Sequence, residues 1–327
     1  MKTRLNFARI GVTRAILTAT VALGTSAVLA QTYPSKPIRL IAAVPPGTPP
    51  DTLGRIVAQQ LSEGLGQQVV IENRPGVGTT LGTAAAAIAA PDGYTLVVLT
   101  TASVMAPALY AKPGYDAEKS FAPISLVGIS PFFLVAHPAV PAATLKELVE
   151  LSRAQPDRLN YGTAGSGTPP HIVMEMFKSM TGASLVHIPH KTSHFPSLLA
   201  GDVHASFDVP TLFAPHARAG KVRLLAVASV SRHQDYPSVP TATEAGAPGL
   251  EAGAWYGLAA PRGTPVDVIA RLHAETQKAL TAKGLRDTFA NLSTDPIGNT
   301  PEQFAAFIGA EVQKWGKAVK ASGAKVD

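Results

Sequence analysis

The stretch Tyr161-Gly-Thr-Ala-Gly-Ser-Gly-Thr-Pro-Pro-His171 places three glycines among Thr163, Ala164, Ser166 and Thr168, so it offers backbone amides and hydroxyls with little to cover them. Such a loop at the start of a helix suits an anion, because the N–H groups converge and the helix dipole adds partial positive charge. The chain uses the device twice. Gly47-Thr-Pro-Pro-Asp51 and Gly167-Thr-Pro-Pro-His171 share Gly-Thr-Pro-Pro and lie 120 positions apart, which suggests two lobes presenting similar helix starts to one cleft. The same residues also read as a plain helix start, with Thr as N-cap, Pro at N1 and Asp51 completing a capping box. Two prolines remove two N–H groups, so an anion there would rely on the preceding amides, the hydroxyls and the N3 amide. The pattern leaves both readings open. His171 is read as a ligand donor, with a capping role as the other reading.

Other chemistries fit less well. Gly76-Val-Gly78 followed by Gly82 misses the dinucleotide fingerprint, because the third glycine would fall at 81, which is Leu81. No cofactor is expected. His187, His190, His194 and His204 are the densest histidine group, but Pro189 and Pro196 flank the i,i+4 pair and no Cys, Asp or Glu lies between them. No metal is expected. His190 and Lys191 read as cleft-rim cations or as solvated surface. A hydrolase would need the G-x-S-x-G elbow around Ser166, but position 164 is Ala164 and spacing assigns no Asp/His partner. No catalytic residue is assigned, and an exported hydrolase acting on small carboxylate esters stands as the alternative function. Asp208 ends a strand-like run and either faces the cleft or braces a neighbouring loop. Arg74 reads as a loop-bracing ion pair.

Residues 1–30 read as an export signal, with a basic start (Lys2, Arg4, Arg9, Arg14), a short apolar core and a cleavage site after Val28-Leu-Ala30. A soluble periplasmic protein is expected, without disulfides or a cysteine-linked lipid, since the chain has no cysteine. Removing the four basic residues of the signal lowers the net charge from +6 to about +2. That charge, without any basic run, excludes electrostatic binding of nucleic acid. Strand-like and helical runs alternate along the rest, which is the α/β class. Two long extended passages, 124–135 and 250–260, bracket about 120 residues and predict a hinge. The expected lobes are 31–130 with 252–327, and 131–251. Ligand sites in open α/β sheets lie at the carboxyl ends of strands, where 44–51, 100–103 and 161–168 fall.

Ordered motifs add a resemblance. Tyr33-Pro-Ser-Lys-Pro-Ile-Arg39, Val70-Ile-Glu-Asn-Arg-Pro-Gly76, Ala90-Pro-Asp-Gly-Tyr94, Leu159-Asn-Tyr-Gly-Thr-Ala-Gly-Ser-Gly-Thr168 and Trp255-Tyr-Gly-Leu258 resemble the extracytoplasmic solute receptors of tripartite tricarboxylate transporters, the Bug family. The resemblance covers 31–327. It implies a periplasmic-binding-protein fold of the second type, capture of a small carboxylate between lobes, and delivery to the transporter's membrane components, by a monomer. It places the ligand on Pro46, Gly47, Thr48 and Asp51, on Thr101 and Ser103, and on Thr163, Ala164, Gly165, Ser166, Gly167 and Thr168. Thr48 replaces the family's second glycine, Pro189-His-Lys-Thr192 replaces a Pro-Tyr-Lys-Gly segment, and Ala106 replaces an Asn, so the departures surround the cleft. Di- or tricarboxylates, aromatic carboxylates and acidic amino acids all fit a neutral, donor-rich loop.

Overall fold

A computed structural model of the chain describes residues 33–324, so the export signal expected at 1–30 lies outside the described residues. The elements run β1 Ile38–Ala42, α1 Pro49–Leu65, β2 Val69–Asn73, α2 Thr80–Ala87, β3 Thr95–Thr100, α3 Thr101–Leu109, β4 Phe121–Pro131 and β5 Phe133–Ala136. Then follow α4 Leu145–Ala154, β6 Asn160–Thr163, α5 Pro169–Thr181, β7 Val186–Pro189, α6 Phe195–Ala200, β8 Ala205–Asp208, α7 Pro210–Arg218 and β9 Arg223–Val227. The chain closes with β10 Gly253–Pro261, α8 Val266–Thr281, α9 Lys283–Asn291, β11 Asp295–Pro296 and α10 Pro301–Ser322. No helix among the described residues is long and apolar enough to cross a membrane.

Two sheets result, and they are built alike. The first has the order β11-β4-β10-β3-β1-β2, the second β7-β6-β8-β5-β9. In the first, β1, β2 and β3 are parallel, and β10 is antiparallel between β3 and β4. In the second, β6, β7 and β8 are parallel, and β5 is antiparallel between β8 and β9. Each inserted antiparallel strand is the one that has just arrived from the other sheet. All six residues of β3 are buried, as expected of a parallel strand covered on both faces.

The two crossings meet at one point. The Phe132 N–H donates to Ala252 O at 3.0 Å, the Ala252 N–H to Ala228 O at 2.9 Å, and the Ala228 N–H to Phe132 O at 2.8 Å. The extended passage breaks at Phe132, one residue after the Pro131 expected from sequence, because Pro131 still pairs with Gly253 as the last residue of β4.

Helix α10 fastens β10 near the crossing. Trp255 meets Phe307 edge-on with centroids 5.4 Å apart, and Gly257 is needed there, since a Cβ would fall 2.1 Å from the Phe304 ring. Both tryptophans of the chain donate their indole N–H to the same oxygen, Glu311 Oε2, Trp255 at 2.8 Å and Trp315 at 2.7 Å. Lys314 Nζ donates to Glu311 Oε1 at 2.6 Å. Glu311 is a buried carboxylate whose cost of burial is offset by three donors.

Three helices did not follow from the sequence pattern: α3, α7 and α9. Helix α3 is apolar nearly all round and contains Pro107, so it shows neither amphipathic period nor a clean run. The carbonyl that Pro107 cannot pair with, Ser103 O, accepts instead from the Tyr115 hydroxyl at 2.6 Å. Helix α7 likewise contains Pro215.

Replacing Glu311 by Ala leaves two buried indole N–H groups unpaired, so Glu311→Ala is expected to cost about 2–4 kcal/mol in denaturant unfolding and Glu311→Gln less. A loss below about 1 kcal/mol in Glu311→Ala would show that the carboxylate does not fasten the helix.

Candidate functional site

Strand direction places the site. Parallel β1, β2 and β3 end at Ala42, Asn73 and Thr100, so the loops after them share one edge of the first sheet. Pro131, where β4 ends, and Gly253, where β10 begins, lie at that edge too. Parallel β6, β7 and β8 end at Thr163, Pro189 and Asp208, and β5 begins at Phe133, opposite Asp208. Only Phe132 separates the two edges along the chain. The carboxyl ends of the strands in one sheet therefore open toward those of the other. Pro46, Gly47, Thr48 and Asp51 follow β1; Thr101 and Ser103 follow β3; Thr163 to Thr168 and His171 lie at and after the end of β6; Asp208 ends β8.

The two Gly-Thr-Pro-Pro turns share one hydrogen-bond pattern. The Thr48 hydroxyl donates to Pro45 O, and the Thr168 hydroxyl to Gly165 O, both at 2.8 Å and both three residues back. The Gly47 N–H donates to Asp51 Oδ2 at 2.8 Å, and the Gly167 N–H to His171 Nδ1 at 3.0 Å, both four residues on. Helices α1 and α5 each begin with two prolines, and each ends on a left-handed glycine, Gly66 and Gly182. The expected Thr48–Asp51 capping box is absent, because Thr48 turns its hydroxyl into the loop and makes no cap bond. Thr300 shows the alternative, exchanging bonds with Gln303 in a full capping box at the start of α10.

These internal bonds commit most of the donors that the motif seemed to offer. Asp51 is buried and saturated: Arg55 Nε donates to Oδ2 at 3.0 Å, and Asn73 Nδ2 to Oδ1 at 2.8 Å. Burial alone would raise its carboxyl, but Arg55, Asn73 and the Gly47 N–H together hold it below the ordinary carboxylate range. Thr163 is fully buried, and its hydroxyl donates to Gly165 O, accepts from the Gly165 N–H, and lies 2.7 Å from His187 Nε2. Among the described residues, the Ala164 and Ser166 amides and the Ser166 hydroxyl are left without a protein partner, and both residues are exposed. Among the described residues, no imidazole or carboxylate is bonded to that hydroxyl.

Thr101, Ser103 and Asp208 are buried and bonded within the fold. The Thr101 hydroxyl donates to Gly253 O and accepts from the Trp255 N–H, both at 3.1 Å, so it ties α3 to the start of β10. Ser103 Oγ accepts from the Thr100 N–H at 3.2 Å as half of a capping box. Asp208 Oδ2 accepts from the Ser206 hydroxyl and lies 3.1 Å from His194 Nε2, so it braces the segment leading into α6. Arg74 pairs with Glu72. His190 and His194 do not share a helix: His190 follows β7, bonded to Ile188 O and Ser197, and His194 caps α6, with ring centroids 6.3 Å apart.

No motif marked the stacked column beneath the loop. Tyr161 and His187 are register partners on β6 and β7, and their rings stack at 4.8 Å; His171 stacks on His187 at 4.0 Å. Nor did any pattern flag the buried side-chain atoms without a partner among the described residues: Thr79 Oγ1, His194 Nδ1, Thr211 Oγ1 and His233 Nε2. Three of them adjoin the carboxyl edges, Thr79 in the turn after β2, His194 after β7 and Thr211 just after Asp208.

Comparison with known proteins agrees with this arrangement. Residues 53–324 match TctC, the tripartite tricarboxylate transporter family receptor. Protein BugT of Bordetella pertussis is 34% identical over 326 residues, covering 98% of this chain and all of that protein. The periplasmic binding protein BugD has a solved structure that is 32% identical, with a TM-score of 0.79, over 90% of this chain and 99% of that one. MatC of Rhodopseudomonas palustris, solved with bound malate, is 32% identical, with a TM-score of 0.78, over 88% of this chain and all of that one. The architecture is therefore the two-lobed periplasmic-binding-protein fold of the second type, and the chain belongs to the tripartite tricarboxylate transporter receptor family.

Proposed function

We propose that this chain is a periplasmic solute receptor that captures a small carboxylate between its lobes and hands it, without chemical change, to the membrane components of a tripartite transporter. The lobes are 31–130 with 252–327, and 131–251, and the protein acts as a monomer. One observation carries the reading: two sets of strand ends open toward each other, and the 163–168 loop keeps its Ala164 and Ser166 amides and Ser166 hydroxyl uncommitted. A carboxylate accepts several hydrogen bonds, and such charge-assisted bonds are worth about 1.5–3 kcal/mol each. The first lobe, with Asp51 saturated, supplies shape and the remaining amides rather than charge. Malate bound to MatC supports a dicarboxylate of similar size as the ligand class. The alternative, an esterase using Ser166, lacks a general base at the hydroxyl.

A thermal-shift screen over four- to six-carbon dicarboxylates, citrate, aromatic carboxylates, acidic amino acids and their methyl esters tests the reading. A true ligand at a hundred times its Kd stabilises the folded state by about 2.7 kcal/mol. At least one acid should raise the melting temperature, and Ser166→Ala should weaken that acid by about 10- to 150-fold, as expected for one lost charge-assisted hydrogen bond. Thr168→Val should lower stability more than Ser166→Ala, since its hydroxyl is bonded inside the turn. Ester turnover that disappears in Ser166→Ala would replace the receptor with the hydrolase.

If 124–135 and 250–260 act as hinges, a stabilising acid should also shrink the radius of gyration in solution scattering. An unchanged profile at saturation would argue for a rigid cleft.

A further inference from the structure

The two Gly-Thr-Pro-Pro turns differ in the group that accepts the glycine N–H. In the first turn it is the Asp51 carboxylate, held below the ordinary range; in the second it is His171 Nδ1. An imidazole nitrogen accepts only while it carries no proton. A proton on Nδ1 would set two N–H groups against each other and break the bond that fixes Gly167.

The surroundings of His171 oppose that proton. Its ring is buried and lies 4.0 Å from His187 at an interplanar angle of 10°, so two positive rings would face each other. The facing charged or titratable groups are His187 and, beyond it, His190 from β7 and the residues after it, Tyr161 from β6, and Glu175 and Lys178 from α5 itself. The Glu175 carboxylate is already engaged, accepting from the Tyr161 hydroxyl at 2.5 Å and from Lys178 Nζ at 2.8 Å. Burial holds His171 below the ordinary histidine range, Lys178 adding to the effect and Glu175 opposing it. Burial, with His171 next, pushes His187 down to about 4. The column thus stays neutral at neutral pH, and acidification must reach it against desolvation.

We propose that His171 is a positioning residue of the carboxylate loop, required as a neutral imidazole, and that its protonation frees Gly167 and loosens the hold on the ligand. The proposal rests on the reading of 163–168 as the carboxylate loop. Its sign is definite. Binding needs the unprotonated ring, so affinity falls as pH falls, although a new positive charge near the loop would by itself attract an anion.

Two measurements test it, the first without any ligand. The His171 ring nitrogens and the Gly167 backbone amide are followed by NMR from about pH 7.5 to the acid limit of the folded protein. The Gly167 amide should move with the His171 midpoint and stay flat in His171→Asn, whose side-chain oxygen accepts the same bond and does not titrate. A Gly167 amide indifferent to the His171 titration overturns the proposal, whatever the protein binds. The second is calorimetric titration of malate into wild type and His171→Asn, near pH 7.5 and one unit below the His171 midpoint found by NMR, where the protonation of malate itself cancels in the ratio. Below the His171 midpoint, wild type should lose about tenfold more affinity per pH unit than the variant. Equal losses, or a relative gain by wild type, overturn the switch. Failure of malate to bind either protein counts against the ligand class alone, and the amide titration still decides the role of His171.

Discussion

The site depends on one long-range pairing, the antiparallel ladder that β10 makes with β3 and β4. Tyr256 pairs with Thr100, more than 150 positions earlier, and Gly253 with Pro131. Such contacts close a very large loop and must be supported by tight packing. Here that support is α10, with the Glu311 carboxylate holding both indoles and Gly257 admitting the Phe304 ring. Once β10 is inserted, Pro131 and Gly253 lie side by side, the two crossings share three hydrogen bonds, and both sets of parallel strand ends are turned to the same space.

Within that space the chain spends most of its polar atoms on itself. Both Gly-Thr-Pro-Pro turns fold their hydroxyl and their glycine amide inward, which makes each a rigid bracket before a helix rather than an open cradle. What the second bracket leaves uncommitted is the short exposed arc from Ala164 to Ser166, where Gly165, at φ 130, adopts a conformation that side chains rarely tolerate. A rigid arc of amides suits an anion because little ordering remains to be done on binding. The acidic side chains at the two edges, Asp51 and Asp208, are engaged with Arg55 and Asn73, and with His194 and Ser206.

Much of this was legible in the sequence. The strand–helix alternation and the two extended passages gave the α/β class and the crossings, and the repeated Gly-Thr-Pro-Pro pointed to the strand ends. What could not be read was direction. Whether Thr168 donates outward to a ligand or back to Gly165 O depends on a carbonyl orientation that residue type does not encode. Helix α3 was hidden by Pro107, whose missing bond is taken over by Tyr115, a partner that only the fold supplies. The Tyr161–His187–His171 column needed the register of β6 against β7, and no local pattern carries that register.

The central claim is that a carboxylate sits between the lobes on the amides of Ala164 and Ser166. A crystal structure with the acid that most stabilises the protein tests this directly. The account predicts one carboxylate within about 3 Å of both amides, with the Thr168 hydroxyl still on Gly165 O. A ligand bound away from the 163–168 loop, or one holding Thr168 and Gly167 in place of their internal partners, would contradict it.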